Sequence, residues 1–230
     1  MPARTPEART ELVMFVGPTL AASARIRALA KPYKLRRPVR RHDVDALVAA
    51  QKKARKKPGV LVIVDGVFHD TLAVGHAEIR DALSAGWRVW GLSSMGAIRA
   101  REMSHLGMRG FGHVYERFCG ADDFQDDEVA LLHEPTSPYR AASEPLIHLR
   151  AAIDHLVARG TVSAEDAHTV ITDLKARWYG ERTIARAKHA LKRCPRVEPA
   201  VVDRELRDFD RFRWKTLDLV RFLTEQPERT

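Results

Sequence analysis

With 230 residues and 45% hydrophobic content, the chain can build one large domain, or one α/β domain with a helical appendage, and should fold alone. Thirty-nine Lys and Arg against thirty Asp and Glu leave a net charge of +9, which calls for an acidic partner, whether nucleic acid, membrane surface or protein. No apolar run is long enough to span a bilayer, and residues 1–10 lack the apolar stretch of a signal peptide. Two cysteines, Cys119 and Cys194, form neither a disulfide framework nor a metal cluster, so the chain reads as cytoplasmic.

Residues 1–11 read as a loose polar tail. Leu12 to Val16 is an apolar run stopped by Gly17-Pro18-Thr19, a first strand entering a loop and then a helix from about Ala21 to Ala30. It lacks the spaced glycines of a nucleotide cradle. Lys31 to Arg41 is basic, contains Pro32 and Pro38, and reads as a surface loop; Tyr33 is its only aromatic, so the stacking platforms of a nucleic-acid binder are missing. Asp43 can cap a helix from Val44 to about Lys57, which carries a second basic cluster from Lys52 to Lys57 and ends at Pro58-Gly59. Val60 to Val64 is apolar on both faces and belongs in the middle of a covered parallel sheet. Asp65 then stands at the carboxyl edge, where sites of open α/β sheets form, unless it serves only its own turn.

A helix from about Val74 to Ser84 carries His76 and Arg80 on one face; His76 is a candidate base or a solvated histidine. Arg88 to Leu92 is a third strand, Ser94 sits at the turn, and a helix runs on to about Leu106 with Arg99 and Glu102 spaced to pair. A serine at such a junction exposes its hydroxyl beside the first free N–H groups of the helix, which can hold an oxyanion. Gly96 leaves room for an incoming carbonyl, but Leu92 stands where a nucleophile elbow has glycine. The alternative is that Ser93 or Ser94 merely caps the helix.

Gly107, Gly110 and Gly112 mark a glycine-rich connection. The run Asp122, Asp123, Asp126, Asp127, Glu128 lacks the spacing and central glycine of a calcium loop, so acidic capping of a helix is the plainer reading and no metal site is assigned. From Ser143 the composition turns helical: Leu146 to Ala158, a capping box at Ser163 to Asp166, helices to about Tyr179 and from Arg182 to Lys192, and one or two helices within Val201 to Leu223. The expected architecture is α/β: a small, mostly parallel sheet with strands near 12–16, 60–65 and 88–92 in a core spanning 12–140, then a helical part over 141–230.

Phe15-Val16-Gly17-Pro18-Thr19-Leu20, Val64-Asp65-Gly66-Val67-Phe68, Ala73 to Ile79, Ser93-Ser94-Met95-Gly96-Ala97-Ile98-Arg99-Ala100 and Asp126 to Ala130, taken in order, resemble the TfuA-like family. The resemblance implies a partner of YcaO enzymes in making peptide thioamides, which hydrolyses a thiocarboxylated, ThiS-like sulfur carrier to deliver sulfide for a substrate peptide. It also implies a hydrolase-like site with a Ser–Lys pair; no cofactor is expected. Ser94 matches the family serine, with Gly17 and Gly96 as approaches to the oxyanion and Asp65, His76, Glu78, Arg99 and Glu102 as the surrounding polar set. The family's H-K-E-I pattern reads His76-Ala77-Glu78-Ile79 here. Either His76 takes the proton, or a lysine from elsewhere such as Lys31 or Lys34 does, or the chain is a non-catalytic adaptor. A third reading, persulfide carried on Cys119, lacks an activating neighbour in sequence.

Overall fold

Five strands pair in parallel in the order β2-β1-β3-β4-β5, with β1 at Leu12–Phe15, β2 at Lys34–Arg36, β3 at Val60–Ile63, β4 at Arg88–Leu92 and β5 at Arg109–Phe111. The computed structural model describes residues 10–21, 24–67, 71–120 and 125–229; most of the tail read at 1–11, Phe68, Asp122 and Asp123 lie outside these. The three central strands are the expected apolar runs. The two edges correct the sequence reading: β2 lies inside the segment expected as a basic loop, and β5 inside the glycine-rich connection.

Because successive side chains alternate, each strand feeds two cores. Val13, Phe15, Leu61, Ile63 and Val89 point to a layer with α3 (Asp43–Lys53), α4 (His76–Ser84) and α5 (Met95–Met103). Met14, Val62, Trp90 and Leu92 point to the opposite layer, which holds Ile26 from α2 (Ala24–Leu29). A short α1 (Pro18–Ala21) precedes it, so the helical segment expected from Ala21 starts earlier.

After the sheet come α6 (His113–Gly120) and a short 3-10 turn at Asp126–Val129, and the helical part then runs through α7 (Leu146–Ala158), α8 (Ala164–Ala176), α9 (Ile184–Lys192), α10 (Pro199–Glu205) and α11 (Trp214–Glu225). The Ser163 cap forms as expected, its hydroxyl accepting from the Asp166 N–H at 3.1 Å. Most of these helices share a core of their own, but α11 returns to the sheet, where Leu219, Phe222 and Leu223 pack against Met14, Val62 and Trp90. Asp218, fully buried, fastens it there by accepting from the N–H groups of His113 and Val114 at 2.9 and 3.0 Å, the free first donors of α6.

The acidic run does its work through ion pairs. Glu128, fully buried, takes a forked pair of bonds from Arg150 on α7 at 2.7 and 2.8 Å, and Asp127 pairs with buried Arg182 at 2.6 Å. Arg182 also donates to the carbonyls of Asp127, Leu174 and Arg177. These bonds hold residues 126–133 and Tyr179 over the carboxyl end of the sheet.

Candidate functional site

The carboxyl ends of the strands open on a cavity of about 150 Å³, the place where the geometry of a parallel sheet gathers loops. Asp65 and Gly66 come from the end of β3, Ser94 from the end of β4, and Pro38 and Arg40 from the loop after β2. Residues 129–133, Tyr139 and Tyr179 form its roof, and Lys215 enters from α11.

Ser94 stands at the expected strand-turn-helix junction. The residue before it, Ser93, holds φ +64°, a left-handed conformation that costs a non-glycine residue of order 1–2 kcal/mol. The Ser93 hydroxyl helps hold it by donating to the carbonyl of Lys215 at 2.8 Å. Ser93 is thereby spent on structure, while Ser94 lines the cavity. The junction's strain and the position of α11 are coupled through one bond.

Lys215 is fully enclosed, its Nζ donating to the Val129 carbonyl at 3.1 Å and lying 4.0 Å from Asp65 Oδ1. Burial pushes its amine below the usual lysine range, against the opposing pull of Asp65 and Glu144. Asp65 is otherwise occupied: it accepts from the N–H groups of Gly17 and Thr19 and from the Thr19 hydroxyl, at 2.8, 3.0 and 2.7 Å. It ties the β1 loop to β3 and still faces the lysine.

Behind Lys215 lies a largely buried network of hydrogen bonds. His148 donates from Nδ1 to Glu144 at 2.9 Å and accepts the Lys215 backbone N–H at Nε2, 3.2 Å away; Arg213 bonds the same Glu144. An Nε2 that accepts is a bare nitrogen, so the ring is neutral. Burial, supported by nearby Lys215 and Arg213 and opposed by Glu144, pushes His148 down to about 4. An unfolded histidine protonates near 6.5, so between those values the unfolded chain binds the extra proton and stability falls as pH falls. The expected loss from pH 6.5 to 4 is on the order of 3 kcal/mol. Urea titrations across that range check it: a His148→Gln variant should flatten the dependence, and an unchanged slope contradicts it.

The other expected site residues fall elsewhere. His76 is exposed on α4 and meets Glu102 at 2.8 Å, and Arg99 bonds Glu102 at 2.6 Å and the Val74 carbonyl at 3.0 Å; none of the three lines the cavity. Glu78 is buried as a cap, accepting from Gly75, Val44 and His42. Ala77, where the family pattern has lysine, is exposed on the same helix. The Gly17 N–H is taken by Asp65, and a side chain at Gly17 would strike the Pro38 ring. The Gly96 N–H goes to the Val64 carbonyl at 3.2 Å, and the space its missing side chain leaves is filled by the Ile63 carbonyl. Among the described residues, the Met95 N–H, first of α5, has no acceptor. Cys119 is exposed on α6, and neither cysteine lines the cavity. Among the described residues no three His, Cys, Asp or Glu side chains gather as metal ligands, and no helix is long and apolar enough to cross a membrane.

Sequence reasoning missed Lys215. It lies 121 residues beyond Ser94, in a segment without motif; the signal available was a lone lysine in the apolar pattern of the last helix, Trp214 to Glu225.

The fold and the site together define an α/β protein with a serine and a buried lysine on one cavity at the carboxyl end of a parallel sheet. The profile of the TfuA-like protein family matches residues 65–183, just over half the chain, and the chain belongs to that family. The match takes in Asp65, Ser94 and Tyr179 and ends before Lys215. No curated protein matches the chain.

Proposed function

We propose that this chain is a hydrolase of a thiocarboxylated, ThiS-like sulfur carrier, with Ser94 as nucleophile and Lys215 as its base, supplying sulfide to a YcaO enzyme that thioamidates a peptide. The observation that carries the reading is that Ser94 and the enclosed Lys215 open on the same cavity. A lysine pressed toward its neutral amine can take the serine proton. The Ser94 oxygen then bonds to the thiocarboxyl carbon, the C–S bond breaks, and the sulfur leaves as HS⁻ with the proton handed on by Lys215. Water, deprotonated by the same amine, opens the acyl ester to the ordinary carboxylate and restores Ser94. The Met95 N–H, immediately after the nucleophile, is the oxyanion donor in this scheme.

On this reading the exchange of the family's lysine for Ala77 leaves the chemistry intact, because position 77 is exposed and off the cavity. The exposed basic run from Lys52 to Lys57 and the exposed Trp178, packed on the cavity residue Tyr179, supply surface for acidic partners. The test is sulfide release from a thiocarboxylated ThiS-like carrier by the purified chain. Release with return of the ordinary carrier is expected; a rate no higher than that in buffer contradicts hydrolysis and leaves the adaptor role.

A further inference from the structure

We propose that Arg40 reads the negative charge of the substrate's terminal group, so that the cavity selects a chain ending in a free thiocarboxylate or carboxylate. The inference rests on the hydrolase reading for the identity of the substrate and on the cavity's own electrostatics for the contact.

Arg40 lines the cavity with Ser94 and Lys215. Its Nε is shut off from solvent with no hydrogen-bond partner, and among the described residues its guanidinium has no ion pair. Arg37, three residues earlier, shows the contrast: its fork sits on Asp43 at 2.8 and 2.9 Å. Nor is Arg40 loosely hung. Its N–H donates to Asp43 at 2.8 Å, and Val39 before it is clamped to the end of β3 by the Asp65 carbonyl at 2.9 Å and the Val67 N–H at 3.2 Å.

A guanidinium on a cavity wall with no carboxylate paired to it is a place for an anionic ligand oxygen or sulfur. Asp65, the carboxylate lining this cavity, makes no bond to Arg40 and accepts from Gly17 and Thr19 instead. The charge of Arg40 therefore stands in the cavity wall without a bonded counter-ion. A planar two-atom anion matches the fork of a guanidinium, which an ammonium does not. The reacting group carries that charge itself: a serine oxygen approaching an anionic thiocarboxylate is repelled unless a fixed cation neutralises it.

The experiment compares affinity for the ThiS-like carrier bearing its ordinary C-terminal carboxylate with the same carrier ending in a carboxamide, using Ser94→Ala to keep turnover out of the measurement. At least tenfold preference for the carboxylate is expected, lost in Ser94→Ala/Arg40→Gln and partly kept with Arg40→Lys, at unchanged melting temperature. Equal affinity for the two carriers in Ser94→Ala, absence of binding included, overturns the proposal, as does a preference that survives Arg40→Gln. The hydrolase reading fails separately, by absence of sulfide release with the charge preference intact.

Discussion

Lys215→Met should lower sulfide release by roughly a thousandfold while leaving the protein as stable as before or more so. The loss follows from removing the proton acceptor, a contribution of typically 10²–10⁴. The stability follows from what the lysine now endures. Enclosing an ammonium costs several kcal/mol, and what it gains here is one hydrogen bond to the Val129 carbonyl and a neighbour 4.0 Å away in Asp65. A neutral hydrogen bond returns only about 1 kcal/mol. Asp65 keeps its three other donors when the lysine goes. Thermal melts beside kinetics check both halves. Lys215→Arg should fail to rescue, since a guanidinium stays charged. In the unsubstituted protein the rate should rise with pH along a limb below the ordinary lysine range, the direction in which burial moves the amine. A Lys215→Met protein that turns over normally, or that melts far lower, contradicts the assignment.

Gly96→Ala is expected to be the most damaging small substitution in the chain. A Cβ at that position would lie 1.8 Å from the Ile63 carbonyl oxygen and 2.6 Å from its carbon, both backbone atoms of a central strand. No rotamer change relieves that contact, so α5 must lift off β3, taking Ser94 with it. Gly91 makes the same demand from the other side, since a Cβ there would lie 2.0 Å from the Gly96 carbonyl oxygen. The cost is at least about 3 kcal/mol, a fall of roughly 10 °C in melting temperature for a chain of this size, and the altered junction should also lose activity. A variant melting within about 2 °C of the parent would show that the junction has slack the structure does not display.

Legibility in the sequence divides along physical lines. Val60 to Val64 declared itself as a central strand, and Leu12 to Val16 as a strand, because burial on both faces demands uninterrupted apolar residues. Lys34–Arg36 and Arg109–Phe111 did not, because three-residue edge strands keep their polar side chains in solvent and rely on backbone pairing that leaves no pattern. Ser94 was legible, since a turn serine followed by Met95-Gly96 is a local arrangement. Of the polar set around it, Asp65 lines the cavity and the rest does not. Glu78 and the Gly17 N–H are consumed in capping and loop anchoring, and His76, Arg99 and Glu102 answer one another away from the cavity. Lys215 and Arg40 reach the cavity only through tertiary folding. One arrives when α11 packs back on the sheet, the other when the β2 edge bends over β3.

The measurement that bears most directly on the whole account is sulfide release from a thiocarboxylated ThiS-like carrier by the unsubstituted chain and by Ser94→Ala, with melting temperatures recorded for both. The account predicts release by the first, a fall of roughly a thousandfold or more in the second, and melting temperatures that agree. Sulfide release at the parent's rate from a folded Ser94→Ala protein would contradict it.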